Sequence, residues 1–363
     1  MSDLHKSFLK RIKEHEQAIG LGSISESHND TTEEINNSSS NLDTLHKFKA
    51  KVFSKIETYD NGEITFQTYF RPPENEGAAI FVFHHGAGSS AMTFGKLAES
   101  LIEHSESGFL LFDARSHGSS SKADDYSLSS LTKDFKFIID KFTATYNPKN
   151  TIYLIGHSLG GAVLTNYLVE NPDQCHNVKG LIMLDIVEET AVKSLSAMPS
   201  FVQKRPRAFK SLQDGIDWHF HVSHLLNNYD SACISVPDLL WKSDNGSYEW
   251  ITDLYATQSY WDTWFKGLSQ NFIDCGKKQN IAKLLILSAH ETLDKSLIIG
   301  QMQGKYQLVV FNNIAKAGHF LHEDIPKQIA QTLIDFVKRI DSPSEYMKKE
   351  FGVVPKWGGK IHS

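Results

Sequence analysis

The stretch TIYLIGHSLGGAVLTNYLV, residues 151–169, decides the fold class. Its first part, Thr151 to Ile155, is apolar and partly β-branched, which favours a short buried strand. From Leu159 onward the apolar residues recur at the spacing of a helix: Val163, Leu164, Tyr167 and Leu168. Gly156 to Gly160 lie between the two parts and have the pattern G-x-S-x-G, so the stretch predicts a strand that turns sharply into a helix at Ser158.

The residue types at this turn indicate a reactive serine. A serine in such a turn takes a strained backbone conformation, and a side chain on either flank would collide with the turn, so glycine fits both Gly156 and Gly160. The turn presents the Ser158 hydroxyl beside a helix N-terminus, where free N–H groups and the helix dipole favour negative charge. We therefore predict a nucleophile at Ser158. The alternative is a glycine-rich turn whose serine only faces solvent.

A second glycine-rich loop follows another apolar strand. Ala78 to Phe83, AAIFVF, is a continuous apolar run of the kind buried on both faces of a sheet, and HHGAG, residues 84–88, comes directly after it. Small residues let a backbone N–H approach a substrate carbonyl, and the N–H after the serine is the second donor of an oxyanion hole. We predict these donors to be the N–H groups of Ala87 and Leu159. An ordinary β-to-α loop is the alternative.

A histidine pair follows the last predicted strand. Lys305 to Phe311 form that strand, and AGHFLHED, residues 317–324, comes after it. A loop after the last strand is where a serine hydrolase of this chain order has its general base. His319 and His322 both qualify. We favour His319, because Gly318 before it gives the loop conformational freedom.

The acidic member of such a triad stays open between two loops. Asp185 directly follows an apolar strand, whereas Glu291 and Asp294 follow the later strand KLLILS, residues 283–288. Both loops open at the carboxyl edge of a parallel sheet, so either one could supply a carboxylate to the histidine. Burial at the end of its strand favours Asp185. Asp294 would then bind backbone N–H groups in its own turn.

The rest of the chain alternates between strand and helix patterns around this centre. Near the start, two strand-like runs are joined by Asp60-Asn61-Gly62, a strong signal for a tight hairpin. About residues 186–280 interrupt the alternation with several helical segments, as an inserted cap does. We therefore predict an α/β class protein with the α/β-hydrolase fold: a mostly parallel, doubly wound sheet with an antiparallel N-terminal hairpin and an inserted helical cap.

Composition divides the chain into three parts. We expect residues 1–45 to form a flexible N-terminal arm, because residues 21–43 are rich in Ser, Asn, Asp and Glu. Within this arm, residues 3–19 have the pattern of a short amphipathic helix. Residues 46–341 are the predicted hydrolase domain, and residues 342–363 are a C-terminal tail. Because the arm cannot bury much apolar surface, we expect it to be dispensable for catalysis.

Composition and charge also exclude several classes of protein. A chain of 363 residues with 40% hydrophobic and 22% charged residues suits a globular protein with one large core. Its net charge of −6 speaks against nucleic-acid binding. Three widely spaced cysteines suit a reducing compartment, so we expect a cytoplasmic or nuclear protein without disulfides. No apolar run reaches the roughly 18 residues of a membrane helix, and we expect no secretory signal.

Two further patterns are interpreted as structural. FDARSHG, residues 112–118, resembles the D-x-R-G-H-G turn of many hydrolases, with Ser116 in place of the first glycine. We expect Arg115 and His117 in this turn to support the site. HFHVSH, residues 219–224, contains three histidines in one helix-like segment without a nearby cysteine or carboxylate pattern. We expect a partly exposed helix there, and neither a metal nor a cofactor in this protein.

Several stretches together resemble the protein phosphatase methylesterases of fungi, over about residues 51–339. The serine turn and the glycine-rich loop are common to many hydrolases, but three stretches are much more specific: MLDIVEETA (183–191), RPRAFKSLQDGIDWH (205–219) and IGQMQGK (299–305). Matched residue by residue, the family's serine, histidine and aspartate fall on Ser158, His319 and Asp185. The resemblance thus implies Asp185 as the acid.

The resemblance implies a definite activity and partner. It implies hydrolysis of the methyl ester on the C-terminal leucine of the type-2A protein phosphatase catalytic subunit, contact with the surface of that phosphatase, and no cofactor. The residues themselves support an acyl hydrolase. Two alternatives stay open: a general small-molecule esterase or lipase of the same fold, and a hydrolase-fold protein that binds and regulates the phosphatase without catalysis.

Overall fold

The computed structural model describes residues 31–173, 177–288, 293–312 and 317–341, and of residues 31–40 it describes the backbone. The strands are β1 (Lys55–Asp60), β2 (Thr65–Arg71), β3 (Ile80–His84), β4 (Gly108–Phe112), β5 (Ile152–His157), β6 (Val178–Leu184), β7 (Ala208–Phe209), β8 (Leu240–Lys242), β9 (Tyr248–Trp250), β10 (Ala282–Leu287) and β11 (Gln307–Val310). The α-helices are α1 (Thr31–Val52), α2 (Gly95–His104), α3 (Leu128–Tyr146), α4 (Leu159–Glu170), α5 (Glu188–Leu195), α6 (Met198–Lys204), α7 (Leu212–Asp217), α8 (Tyr229–Ser235), α9 (Trp261–Trp264), α10 (Leu268–Asp274), α11 (Lys295–Met302), α12 (Leu321–Asp324) and α13 (Pro326–Asp341). The predicted helix 3–19, the tail 342–363 and Glu291 lie outside the described residues.

An eight-stranded sheet with the order β1-β2-β4-β3-β5-β6-β10-β11 forms the centre of the molecule. The hairpin β1–β2 and the pair β2–β4 are antiparallel, and every later pair in the sheet is parallel. Strands β3 and β5 lie in the middle and are buried along their whole length. The predicted mostly parallel sheet with an antiparallel N-terminal hairpin is confirmed.

The apolar runs of the central strands serve two cores, one on each face of the sheet. In β5, Leu154 points to one core while Tyr153 and Ile155 point to the other, as the two-residue period of a strand requires. Helices α3 and α4 cover the first face, and α2 and α13 cover the second. Helices on both faces explain why these strands are apolar without alternation.

The cap contains a small sheet in addition to the predicted helices. Strands β7, β9 and β8 form a three-stranded antiparallel sheet between β6 and β10. The cap has its own apolar cluster, made by Phe209, Leu212, Ile216, Leu226, Ala232, Val236, Leu240 and Tyr248. Strands of two or three residues are too short to leave an alternating pattern, which is why the sequence predicts only helices here.

Helix α1 corrects the predicted N-terminal boundary. The sequence predicts a flexible arm up to residue 45, but α1 begins at Thr31, so residues 31–45 belong to a helix. Leu45, Phe48 and Val52 lie on one face and are buried. Lys49 adds an ion pair of 2.5 Å to Asp238 in the cap. These three residues lie in the second half of the helix, and the polar composition before them conceals the helical signal.

The histidine run of the cap is helix-like, as predicted. Trp218–Val222 form a π-helical turn in which His219 is buried and donates from Nδ1 to the Gly215 carbonyl oxygen at 2.8 Å. Burial lowers the pKa of His219 to about 4. Within the ranges described above, no group of three or more His, Cys, Asp or Glu side chains is arranged to bind a metal ion, and no helix is long and apolar enough to span a bilayer.

Candidate active site

Ser158 lies at the sharp turn between β5 and α4 with φ +50° and ψ −119°, a conformation that non-glycine residues rarely adopt. Close packing explains both flanking glycines. A Cβ at Gly156 would lie 2.4 Å from the Gly161 nitrogen, and a Cβ at Gly160 would lie 2.1 Å from the His84 carbonyl oxygen. The strained serine is therefore enforced by the contact of α4 with the ends of β3 and β5.

The glycine-rich loop after β3 lies directly against this serine. A Cβ added to Gly86 would come within 3.1 Å of the Ser158 Cβ, so the main chain on either side of Gly86 borders the hydroxyl. Ala87 is the next residue. Leu159 is the first residue of α4, and an N–H at that position has no acceptor inside the helix. The two predicted oxyanion donors thus belong to the two main-chain segments that adjoin Ser158.

The turn after β4 supports that loop, as expected for His117. Its Nε2 accepts a hydrogen bond of 2.9 Å from the N–H of Gly88, while its Nδ1 donates to the Arg115 carbonyl oxygen at 2.7 Å. Burial lowers the pKa of His117 to about 4, which keeps the ring neutral and able to accept. Arg115 has a different role, because its guanidinium pairs with Asp134 of α3 and fixes the turn to that helix. Ser116 adopts φ +60°, the left-handed conformation for which glycine is usual.

Asp185 lies at the end of β6 and is oriented by its neighbours. It is 4% exposed and, like the serine, has a positive φ of +50°. Its Oδ1 accepts hydrogen bonds from the N–H and the hydroxyl of Ser288, at 2.8 and 2.7 Å. Its Oδ2 lies 2.9 Å from Nδ1 of His319. The two predicted residues therefore form a hydrogen-bonded pair.

The structure distinguishes His319 from the alternative base, His322. The side chain of His319 is 49% exposed, whereas His322 is fully buried and its Nε2 lies 2.8 Å from the Thr93 hydroxyl. Burial lowers the pKa of His322 to about 3. His157, the residue before Ser158, donates from Nε2 to the His319 carbonyl oxygen at 2.9 Å, and the two rings are 4.7 Å apart. His319 is thus the histidine that lies beside the serine turn and reaches solvent.

Asp294 occupies a structural position at the start of α11. It is the N-cap of that helix, where Oδ1 accepts the Leu297 N–H at 3.1 Å and Oδ2 accepts the Ser269 hydroxyl. N-cap aspartates satisfy N–H groups that a helix leaves open. The structure pairs Asp185, and not Asp294, with the histidine.

Three supporting residues were not found from the sequence. Ser288 orients Asp185, His157 contacts the main chain of His319, and the Asp324 carboxylate accepts the N–H of Gly318 at 2.7 Å. The position of His157 beside the serine is a weak signal, since adjacency to a reactive residue does not show what a side chain contacts. The contacts of Ser288 with Asp185 and of Asp324 with Gly318 form only when the loops fold, and no local sequence pattern indicates them.

Comparison with protein families and with relatives of known name agrees with this geometry. The chain matches the family model of the alpha/beta hydrolase fold over residues 79–326. It is 54% identical to a protein of Debaryomyces hansenii and 48% identical to one of Candida albicans, each match covering all of both chains. A Saccharomyces cerevisiae protein is 38% identical over 85% of this chain and 83% of its own. All three relatives are named protein phosphatase methylesterase 1.

Solved structures support the fold. A Mycobacterium tuberculosis esterase aligns with a TM-score of 0.61 at 17% identity, covering 82% of this chain and 98% of its own. E-2-(acetamidomethylene)succinate hydrolase aligns with a TM-score of 0.61 at 18% identity, covering 78% and 99%. At such identities the likeness concerns the fold alone. The two relatives that match over the whole length of both chains show the family as well. The chain therefore belongs to the protein phosphatase methylesterases, which are carboxylic ester hydrolases of the α/β-hydrolase fold.

Proposed function

We propose that Ser158 is the nucleophile of this esterase, His319 its general base and Asp185 the acid that orients the base. The observation that carries the proposal is the hydrogen bond of 2.9 Å between His319 Nδ1 and Asp185 Oδ2, in a loop that also contacts the residue beside Ser158. A carboxylate can only accept, so Nδ1 carries the proton and Nε2 keeps the lone pair that a base needs.

The reaction proposed is a two-step acyl transfer. Nε2 of His319 takes the Ser158 proton while Oγ attacks the ester carbonyl carbon, and the N–H groups of Ala87 and Leu159 bind the resulting oxyanion. The carbon–methoxy bond then breaks, and methanol leaves with the proton from Nε2. Water then attacks the acyl-enzyme and loses a proton to Nε2. The bond between the acyl carbon and Oγ breaks, Nε2 returns that proton to Oγ, and the carboxylic acid is released from a regenerated Ser158. No cofactor takes part in these steps.

The proposed substrate is the methyl ester on the C-terminal leucine of the type-2A protein phosphatase catalytic subunit. The names of the relatives that match over their whole length support an ester carried by a protein phosphatase as the substrate. The resemblance of the stretches 183–191, 205–219 and 299–305 to the methylesterase family supports the same substrate. Methanol is too small to provide much specificity, so the peptide side of the ester and the phosphatase surface must provide it. The cap borders the site and is available for that contact, since Leu254 packs on Gly88 of the oxyanion loop.

We propose that the protein meets this substrate in the cytoplasm or the nucleus. The cysteine content supports a reducing compartment, and Cys233 and Cys275 are free thiols.

Mass spectrometry of the phosphatase C-terminus tests the proposal. The methylated catalytic subunit is incubated with wild-type protein, with Ser158→Ala, and with Ser54→Ala, which removes an exposed serine hydroxyl outside the cap, just before β1. We expect wild type and Ser54→Ala to remove the methyl group at equal rates. Ser158→Ala should be slower by about a million-fold, the cost of removing a nucleophile that works in a triad.

Two other outcomes would favour the alternatives. Rapid hydrolysis of short acyl esters together with an intact methylated phosphatase would indicate a general small-molecule esterase. Tight binding of the phosphatase with equal, negligible turnover by wild type and Ser158→Ala would indicate a non-catalytic regulator. Activity of Ser158→Ala within about tenfold of wild type would show that the serine turn is only structural.

A further inference from the structure

The main chain around His319 is held from two sides by side chains outside the triad. Before it, Oδ2 of Asp324 accepts the N–H of Gly318 at 2.7 Å. After it, the His319 carbonyl oxygen accepts a hydrogen bond of 2.9 Å from His157. The ring itself is 49% exposed, so its position depends on these main-chain contacts and on Asp185 more than on packing.

The carboxylate of Asp324 also binds the cap. Its Oδ1 accepts the backbone N–H of Asn227 at 2.7 Å, and its Oδ2 lies 3.2 Å from the Asn227 side-chain nitrogen. Leu226, directly before Asn227, is 3% exposed and belongs to the apolar cluster of the cap. One buried carboxylate therefore joins the peptide before His319 to a segment that is packed into the cap.

Neighbouring contacts strengthen the same connection. Phe320, the residue after His319, packs against the apolar cluster of the cap. The hydroxyls of Ser231 and Ser235 in cap helix α8 donate to the carbonyl and carboxylate oxygens of Glu323, at 2.7 and 2.5 Å. Helix α12 and the histidine loop before it thus rest on the cap through both apolar and polar contacts.

The chemistry of Asp324 suits positioning and not proton transfer. It is 7% exposed, and three N–H donors from Gly318 and Asn227 point at its two oxygens. Burial raises its pKa, which those N–H donors oppose. Two of the donors are backbone N–H groups, which cannot rotate to another acceptor. Removing either carboxylate oxygen would leave a partly buried donor unpaired.

We propose that Asp324 is a positioning residue that makes the placement of the catalytic His319 depend on the seating of the cap. The proposal rests on the triad assigned under Proposed function. The cap segment at Asn227 acts through Asp324, and Asp324 acts through the Gly318 N–H.

The substitution Asp324→Asn tests the first link. An asparagine has one oxygen and one NH₂ group, so it can accept from Gly318 or from the Asn227 N–H, but not from both. We expect a fall in kcat of about 10- to 100-fold, the cost of losing a hydrogen bond to a charged group. KM for a peptide leucine methyl ester should stay within about threefold, since no substrate contact changes. The rate of Ser158 labelling by a fluorophosphonate should fall in parallel with kcat.

Matched controls separate this effect from general destabilisation. Asp335→Asn makes the same change on α13, where the carboxylate accepts from Gln331 at an exposed site, and should leave kcat and labelling unchanged. Assays run well below the melting temperature of each variant. Ser158→Ala distinguishes the two proposals: if it is labelled and turns over like wild type, the triad itself is wrong, whatever Asp324 does.

The substitution Asn227→Ala tests the second link. Of the two hydrogen bonds that Asn227 donates to Asp324, it removes the side-chain one and leaves the backbone one. We therefore expect a smaller fall in kcat, about three- to tenfold. Because Asn227 acts through Asp324, the double variant should be no slower than Asp324→Asn alone.

Each opposite result would overturn the proposal. Wild-type kcat and labelling in folded Asp324→Asn would remove the positioning role, and so would a raised KM with unchanged kcat. Effects that multiply independently in the double variant would remove the dependence on the cap. If Asp324→Asn does not fold, Asn227→Ala decides alone, and an unchanged labelling rate in that variant would contradict the proposal.

Discussion

Replacing Asp185 with asparagine should nearly abolish turnover while leaving the fold intact. In the native site Oδ1 faces the N–H of Ser288, which cannot rotate, and Oδ2 faces Nδ1 of His319. The asparagine oxygen must therefore take the Oδ1 position, and its NH₂ group must face His319. Nδ1 can accept that hydrogen bond only if the proton moves to Nε2. The imidazole would then present a donor to Ser158 and could not take its proton.

The magnitude follows from this change of tautomer. A triad aspartate replaced by asparagine costs roughly 10⁴ in turnover, which corresponds to about 5.5 kcal/mol in the activation free energy. The free energy of unfolding should change much less, because the asparagine fills the same volume and keeps the hydrogen bond to Ser288. A loss of this size without a matching loss of stability is the signature of a residue that acts on the base.

Asp294→Asn provides the matched control. The two aspartates are similarly buried, at 4% and 7% exposure, and both accept a serine hydroxyl. Asparagine is as good an N-cap as aspartate, and the hydroxyl of Ser269 can rotate to accept from the new NH₂ group. We therefore expect Asp294→Asn to turn over within about threefold of wild type, since it touches neither base nor substrate.

The assay is steady-state hydrolysis of a peptide leucine methyl ester by the two variants, each compared with wild type in melting temperature. If Asp294→Asn loses turnover by orders of magnitude while Asp185→Asn keeps most of it, the reasoning is refuted and the acid follows β10. If both variants lose turnover and both melt at the wild-type temperature, the tautomer argument fails, because a helix N-cap would then control the base.

Three further predictions concern stability. Deleting residues 1–50 removes the buried side chains of Leu45 and Phe48 in α1 and should lower the free energy of unfolding by about 3–6 kcal/mol. Deleting residues 1–30 should leave the melting temperature and the activity unchanged. Equal melting temperatures for the two deletion variants would contradict this prediction. Gly160→Ala places a Cβ 2.1 Å from a main-chain oxygen and should destroy the serine turn, whereas Gly77→Ala, with its nearest contact at 3.4 Å, should behave like wild type in activity and melting. Burial lowers the pKa of six histidines: His84, His85, His117, His157, His219 and His322. The stability that these neutral side chains contribute is present above the pKa of an unfolded histidine, about 6.5. It is lost as the pH falls from there towards their pKa values in the folded protein. Urea unfolding should accordingly give a lower free energy at about pH 5 than at about pH 6.5, and equal values would refute the burial argument.

The parts of the fold that depend on local sequence could be predicted. The turn at Ser158 is predicted by five consecutive residues, Gly156 to Gly160, which lie between a strand pattern and a helix pattern. The hairpin at Asp60-Asn61-Gly62 and the buried strands are equally local. Helix α1 was not predicted, because the contacts that bury Leu45, Phe48 and Val52 join residues far apart in the chain and leave no local pattern.

The assignment of the acid shows where local reasoning ends. Asp185 and Asp294 each follow a strand of the same sheet, and sequence spacing alone permits either to reach the histidine. What separates them in space is a second set of contacts, Ser288 with Asp185 and the α11 N-terminus with Asp294. Those contacts join residues far apart in the chain. Such contacts can be inferred only from the folded structure or from a resemblance to a known family over whole stretches of sequence.

The same argument bears on how the site is controlled. Ser158, Asp185 and His319 come from three separate loops, and their orientation depends on residues that never touch a substrate. The proposed nucleophile is held by the packing of α4, the proposed acid by Ser288, and the proposed base by His157 and Asp324. Asp324 is hydrogen-bonded both to Gly318 and to Asn227 of the cap, so a side chain outside the proposed triad joins the base to the cap.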